Sequence, residues 1–211
     1  MTEPVPHDPI PASALAFLLN ADPVLAGIIE RVGEIEVPRE PDLWWSLVDA
    51  IVSQQLSVAA AATILARLRA LGTPEVPPLP QVLIAAPDDD LRALGLSRAK
   101  VSYVKDLAAK WLDSTLQPER IPTLPDEDVI AHLVRVKGIG RWTAEMALIF
   151  CLGRPDVLPV DDLGLQVAVQ NAYGLPERPR RDRIAAQGEA WRPFRTAASL
   201  YLWRSRRLGG P

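Results

Sequence analysis

Apolar residues recur at helical spacing along most of the chain, and no run of five or more residues alternates apolar and polar positions with β-branched enrichment. The pattern predicts an all-α protein of about ten helices. Two short helices are expected over 12–19 and 23–32, the second with Asp22 as N-cap and Pro23 at its first position. A longer amphipathic helix starts at Asp42, with Leu43, Leu47 and Ile51 on one face, and an alanine-rich helix covers 58–71. A helix over 88–94 stops at Gly95, and Ser97 caps another that reaches Leu112. Asp126 then opens a helix into a glycine turn, and three closing helices fall over 163–173, 180–190 and 193–206. Residues 1–11 and 72–80 each hold four prolines, and read as an extended lead-in and a linker loop inside the fold.

The stretch from Leu133 to Leu165, LVRVKGIGRWTAEMALIFCLGRPDVLPVDDLGL, carries the most chemistry. Gly138 and Gly140 bracket one aliphatic residue, which lets the backbone turn tightly and approach a partner. Because a helix begins where the turn ends, N–H groups near Gly138, Gly140 and Trp142 face an anion with the helix dipole behind them. A DNA phosphate is the obvious candidate. A bare Gly-x-Gly also describes an ordinary helix-to-helix turn.

Composition narrows the class without deciding it. At 211 residues, 48% hydrophobic and 23% charged, the chain suits one well-buried unit or two small lobes. No window approaches the apolar length of a membrane span, and the N-terminus lacks a basic-then-apolar signal pattern, so an intracellular, cytoplasmic protein is expected. The single cysteine, Cys151, excludes an internal disulfide and a cysteine-ligated iron–sulfur cluster or zinc site. A net charge of −3 argues against holding DNA by bulk electrostatics, although arginines crowd residues 178–207.

Thr143-Ala144 after the turn, the apolar helix to Leu152, and Pro159-Val160-Asp161-Asp162 together resemble the helix-hairpin-helix (HhH-GPD) DNA glycosylases of base-excision repair, in particular the AlkA-like branch, DNA-3-methyladenine glycosylase II. The resemblance covers Asp42 to Arg206. It implies a two-lobed helical fold with a cleft between lobes: residues 1–40 packing with 166–211 as one lobe, and 41–165 as the other, with the helix-hairpin-helix over 126–152. The larger bacterial members carry an N-terminal β domain, for which the residues ahead of Asp42 leave no room.

The same resemblance assigns roles. Breaking an N-glycosidic bond builds positive charge on the sugar, and an anion beneath C1′ stabilises that transition state. The family's aspartate falls on Asp162, which leaves Asp161 as the helix cap. Glycosylases that also nick DNA, such as endonuclease III, place a Schiff-base lysine where this chain has Trp142, which implies a monofunctional enzyme using water. Trp142 and Trp203 line the base pocket, and Met146 and Leu163 stand where family members have tyrosines. The wedge that fills the gap left by a flipped base falls on Gln55, beside Leu56. Lys137, Gly138, Gly140, Arg141, Trp142 and Thr143 grip the DNA backbone. Backbone carbonyls of Val134, Val136 and Ile139 hold a structural Na⁺ or K⁺, with no cofactor required. The expected activity is excision of 3-methyladenine and 7-methylguanine from double-stranded DNA by a monomer. A non-catalytic hairpin module, or a glycosylase for other damaged bases, is the alternative.

Overall fold

Side chains placed one residue ahead of a helix start many of the elements. Asp22, Asp42, Ser57, Ser97 and Asp162 each accept a hydrogen bond from a backbone N–H two or three residues on, which satisfies donors that a helix start leaves unpaired. The computed structural model describes residues 7–73 and 76–207. Among them run β1 (His7–Pro9), α1 (Ala12–Ala21), α2 (Pro23–Val32), β2 (Glu36–Pro38), α3 (Leu43–Ser53), α4 (Val58–Arg69), α5 (Pro80–Ala85), α6 (Asp88–Ala93) and α7 (Arg98–Leu112). They continue as α8 (Asp126–Leu133), α9 (Arg141–Phe150), α10 (Leu163–Ala172), α11 (Arg181–Gly188) and α12 (Arg195–Ser205).

Two elements depart from the sequence expectation. The proline-rich lead-in, of which residues 1–6 lie outside the described residues, forms β1, paired antiparallel with β2 so that Asp8 faces Val37. Each strand has three residues, too few for an alternation to register in the sequence. The loop over 72–80 gives way to α5, whose first residue is Pro80, because proline is pre-organised for a helix start.

The chain divides into two compact units, one made of the described residues up to Glu40 with those from Leu148 onward, the other of Pro41–Ala147. The sequence placed 148–165 with the central lobe, and the structure places it with the terminal residues instead. The reason is a set of bonds along that segment: Thr196 donates to the Arg154 carbonyl at 2.7 Å, Val157 N–H donates to the Thr196 hydroxyl at 3.0 Å, and Arg195 pairs with Asp156 at 2.7 Å.

In the first unit α12 packs on α2 and α10, with Leu25, Ile28, Leu165, Tyr201 and Leu202 buried. At its centre lies Asp22, a carboxylate only 4% exposed. Its Oδ1 accepts from Val24 and Leu25 N–H at 3.0 and 3.1 Å. Its Oδ2 accepts from the Tyr173 hydroxyl, from Gln187 at 3.0 Å and from Trp191 at 2.9 Å. In the second unit α7 packs on α3, α5 and α6 around Leu47, Ile51, Leu83, Leu91 and Leu107. Trp44 meets Trp111 edge-on at 5.3 Å and donates to the Pro78 carbonyl at 2.8 Å, which pins the proline-rich loop.

Candidate active site

Helices α8 and α9 are joined by a turn over 134–140, and Gly138 makes that turn possible. Its φ is +81°, a conformation that favours glycine, and an added Cβ would collide with the Tyr103 ring. Gly140 differs: a Cβ there would meet no atom within 4 Å. The fold therefore requires the first glycine and only tolerates the second. Ile139 N–H donates to the Val136 carbonyl at 3.1 Å, and Lys137 N–H donates to Asp106 at 2.9 Å. Among the described residues, no hydrogen bond engages the N–H groups of Gly138 and Gly140.

Charge around the turn is partly neutralised by groups the sequence reading did not single out. Burial pushes the Asp106 carboxyl up, but bonds from Lys110 and the Lys137 amide, together with both charges, outweigh it and hold it below its ordinary value. Arg141 forms two bonds with Glu127, at 2.9 and 2.5 Å, and one with Glu145 at 3.0 Å. The Arg141 hydrogen bond holds Glu127 below the ordinary carboxylate range, so this guanidinium is not a charge reserved for a partner. Lys137 extends into solvent, its side chain 66% exposed and 3.8 Å from Asp106. Thr143 is buried, so its side chain points into the unit. Trp142, two positions into the turn's following helix, is 44% exposed, and Met146 one turn on is half-buried. Val134 is exposed, while Val136 and Ile139 bury their side chains.

The turn between α3 and α4 lies against this hairpin. The Gln54 amide donates to the Gly138 carbonyl at 2.8 Å. Gln55 is exposed with φ +58°, and next to it Leu56 and Val58 are 38% and 88% exposed. Lys100 closes the end of α3, donating to the Val52 and Gln54 carbonyls at 2.6 and 2.7 Å. Burial pulls this ammonium below the ordinary lysine range.

In the other unit the two adjacent carboxylates separate, with the opposite assignment of the cap. Asp162, not Asp161, is the N-cap of α10, because its side chain stands directly before the first helical residue: Oδ1 accepts from Leu165 N–H at 2.6 Å. Asp161 pairs with Arg181 at 2.9 Å. The Trp203 indole N–H also donates to Asp162 Oδ1, at 2.8 Å, and its ring stacks on Phe150 with centroids 6.2 Å apart. Trp203 thus holds the same carboxylate oxygen that caps α10. Leu163 is 57% exposed, and a Cβ on Gly164 would come within 2.9 Å of Asp162 Oδ1, so the small residue keeps room at the acid.

A glycine-turned helical hairpin among described elements that are helical apart from two three-residue strands defines a helix-hairpin-helix protein. The family model for HhH-GPD superfamily base excision DNA repair proteins matches residues 48–193, and the chain belongs to that family. It is 32% identical over 186 residues to the putative DNA-3-methyladenine glycosylase YfjP of Bacillus subtilis, covering 86% of this chain and 65% of the relative. It is 36% identical over 163 residues to DNA-3-methyladenine glycosylase 1 of Schizosaccharomyces pombe, covering 77% of this chain and 72% of the relative. The fold also superposes, with a TM-score of 0.84 at 33% identity, on the S. pombe 3-methyladenine DNA glycosylase Mag1 in complex with abasic DNA, covering 94% of this chain and 98% of that one. No helix among the described residues is long and apolar enough to cross a membrane.

Proposed function

We propose that this protein is a monofunctional DNA glycosylase that releases 3-methyladenine and 7-methylguanine from double-stranded DNA. The observation that carries the proposal is Asp162, whose Oδ1 takes two donors, Leu165 N–H and the Trp203 indole, at 2.6 and 2.8 Å. Two fixed donors on one oxygen set the rotamer, and a carboxylate of fixed direction can face the sugar as cationic charge builds there. A base already carrying positive charge leaves with less help, so one acid suffices. The exposed Trp142 offers a π-face for such a base and no amine for a Schiff base.

The Gly138 and Gly140 N–H groups take a DNA phosphate, Lys137 adds its exposed charge, and Arg141, already paired with two carboxylates, contributes less. The exposed Gln55, with Leu56 and Val58 beside it, enters the base stack when the damaged base leaves it. Carbonyls of Val134, Val136 and Ile139 would hold a monovalent cation through neutral oxygens, the Val136 oxygen sharing its second lone pair with the Ile139 N–H at 3.1 Å. Such an ion would add positive charge beside the phosphate grip.

The glycines separate fold from binding. Gly138→Ala should lower stability by about 1–2 kcal/mol through the left-handed strain alone, with the Tyr103 collision in addition. Gly140→Ala should leave thermal stability unchanged yet weaken binding to duplex DNA about fivefold, as one close amide–phosphate contact is lost. Titration of labelled duplex, with melting curves on both variants, checks the pair. Trp203→Phe keeps a ring on Phe150 but removes the indole donor; single-turnover base release is expected to slow about tenfold with little loss of stability.

The proposal as a whole is tested by incubating the protein with a panel of duplexes carrying methylated purines, 8-oxoguanine or a mismatch, followed by alkali or direct gel analysis. Abasic sites should appear in the methylated duplexes, with strand breaks only after alkali. Breaks without alkali would mean a lyase. Abasic sites in the other duplexes alone would mean a glycosylase for different damage, and binding without abasic sites a non-catalytic hairpin module.

A further inference from the structure

Helix α3 ends in a way that a helix end alone does not demand. The last carbonyls of a helix lack intrahelical partners and carry the negative end of its dipole, so a cation there is favourable. Here the cation comes from a distant segment: Lys100, in the first turn of α7, reaches the Val52 and Gln54 carbonyls at 2.6 and 2.7 Å. The next residue, Gln55, has φ +58°, a conformation that a non-glycine residue keeps only when its surroundings over-determine it. Lys100 fixes the peptide group just before it. The Gln54 side chain then fastens the same turn to the Gly138 carbonyl at 2.8 Å. Capping of α3 explains the lysine, but leaves the strained Gln55 and the tie to the hairpin without a use.

We propose that Lys100 is a positioning residue for base extrusion: together with Gln54 it holds the Gln55 turn in fixed register with the hairpin, so that gripping the phosphate and filling the stack occur at one spacing. This rests on Gln55 as the wedge. A poorly placed wedge matters most where the base resists leaving the helix. A lesion opposite a normal partner must break pairing and stacking, whereas the same lesion opposite an abasic gap is already half-released.

Lys100→Met keeps the aliphatic stem and removes the ammonium. Single-turnover release of 7-methylguanine is measured for native protein and variant in both contexts at 25 °C, with melting curves in parallel. Release from the paired lesion should fall about tenfold, and from the lesion opposite the gap less than about twofold. Lys100→Arg, which keeps a donor at the carbonyls, should restore at least half of the paired rate. Equal losses in both contexts, or no loss in either, would overturn the proposal. 2-Aminopurine fluorescence in a duplex reports extrusion without chemistry. If native protein extrudes the probe but releases no base, the glycosylase reading fails while the lysine's role is still read from the variant's smaller fluorescence rise. A rise equal to native, or no extrusion by native protein, counts against the lysine's role.

Discussion

Asp162→Asn should fold, bind methylated duplex DNA within about threefold of the native protein, and release base at least a hundredfold more slowly. The expectation follows from two roles, the N-cap of α10 that the structure shows and the catalytic anion of the proposed function. As N-cap of α10 it accepts from Leu165 N–H, and asparagine caps a helix about as well as aspartate, so the helix start survives. The Trp203 indole can still donate to the amide oxygen. The substitution removes the negative charge while keeping both of these bonds. Removing one well-placed electrostatic stabiliser from an active site typically costs about 10²–10³ in rate. Asp162→Ala would remove the cap as well, about 1 kcal/mol of stability, and so confuse the two effects. Single-turnover release, binding titrations and melting curves on the asparagine variant separate them. A variant that retains more than about a tenth of the native rate would move the catalytic role to Asp161, now seen paired with Arg181.

Asp22→Asn should unfold more easily by about 1–3 kcal/mol, the usual cost of leaving a buried donor without its acceptor. Oδ2 accepts from Tyr173, Gln187 and Trp191, and an amide nitrogen in its place would point donors at donors. Tyr173 can rotate its hydroxyl, but the Trp191 indole N–H has no alternative role. Burial pushes the Asp22 carboxyl up, and the bonds from Tyr173, Trp191, Leu25 and Val24 outweigh it, so its pKa lies below the ordinary 3.8. The folded form therefore holds its proton less tightly than the unfolded chain. This contribution is complete above about pH 4 and fades as pH falls through the lower folded value. Urea melts at pH 7 and at steps below pH 4 check both statements: the variant should lose stability at neutral pH and show a shallower acid decline than native protein. An unchanged midpoint at pH 7 would show that the five bonds to this carboxylate carry no net stability.

Local rules read much of this architecture directly. Asp22 before Pro23, Ser97 before Arg98 and Gly138 within the turn each announce a backbone conformation through their own chemistry, and the structure has those features there. The resemblance at Gly138-Ile139-Gly140 and Asp161-Asp162 led to the right family. What the sequence hides is of two kinds. Some questions turn on one residue, such as which of Asp161 and Asp162 directly precedes α10, and element boundaries cannot be read that finely. Others depend on contacts between distant segments: the lysine under α3 lies 46 positions from Gln54, the indole on Asp162 lies 41 positions away, and Glu127 takes up the charge of Arg141 from the preceding helix. Lys100 and Glu127 carry no local signal to distinguish them from solvated side chains, and Trp203 none to distinguish it from a core aromatic. The three-residue strands β1 and β2 fall below the length at which alternation exists at all.

The most direct test of the central claim is chromatographic identification of what the native protein releases from duplex DNA treated with a methylating agent, under single-turnover conditions. Free 3-methyladenine and 7-methylguanine, accumulating in proportion to alkali-labile sites and with no strand breaks of their own, is the result expected of a monofunctional alkylpurine glycosylase. DNA that is bound but yields no free base over hours at saturating protein would contradict it.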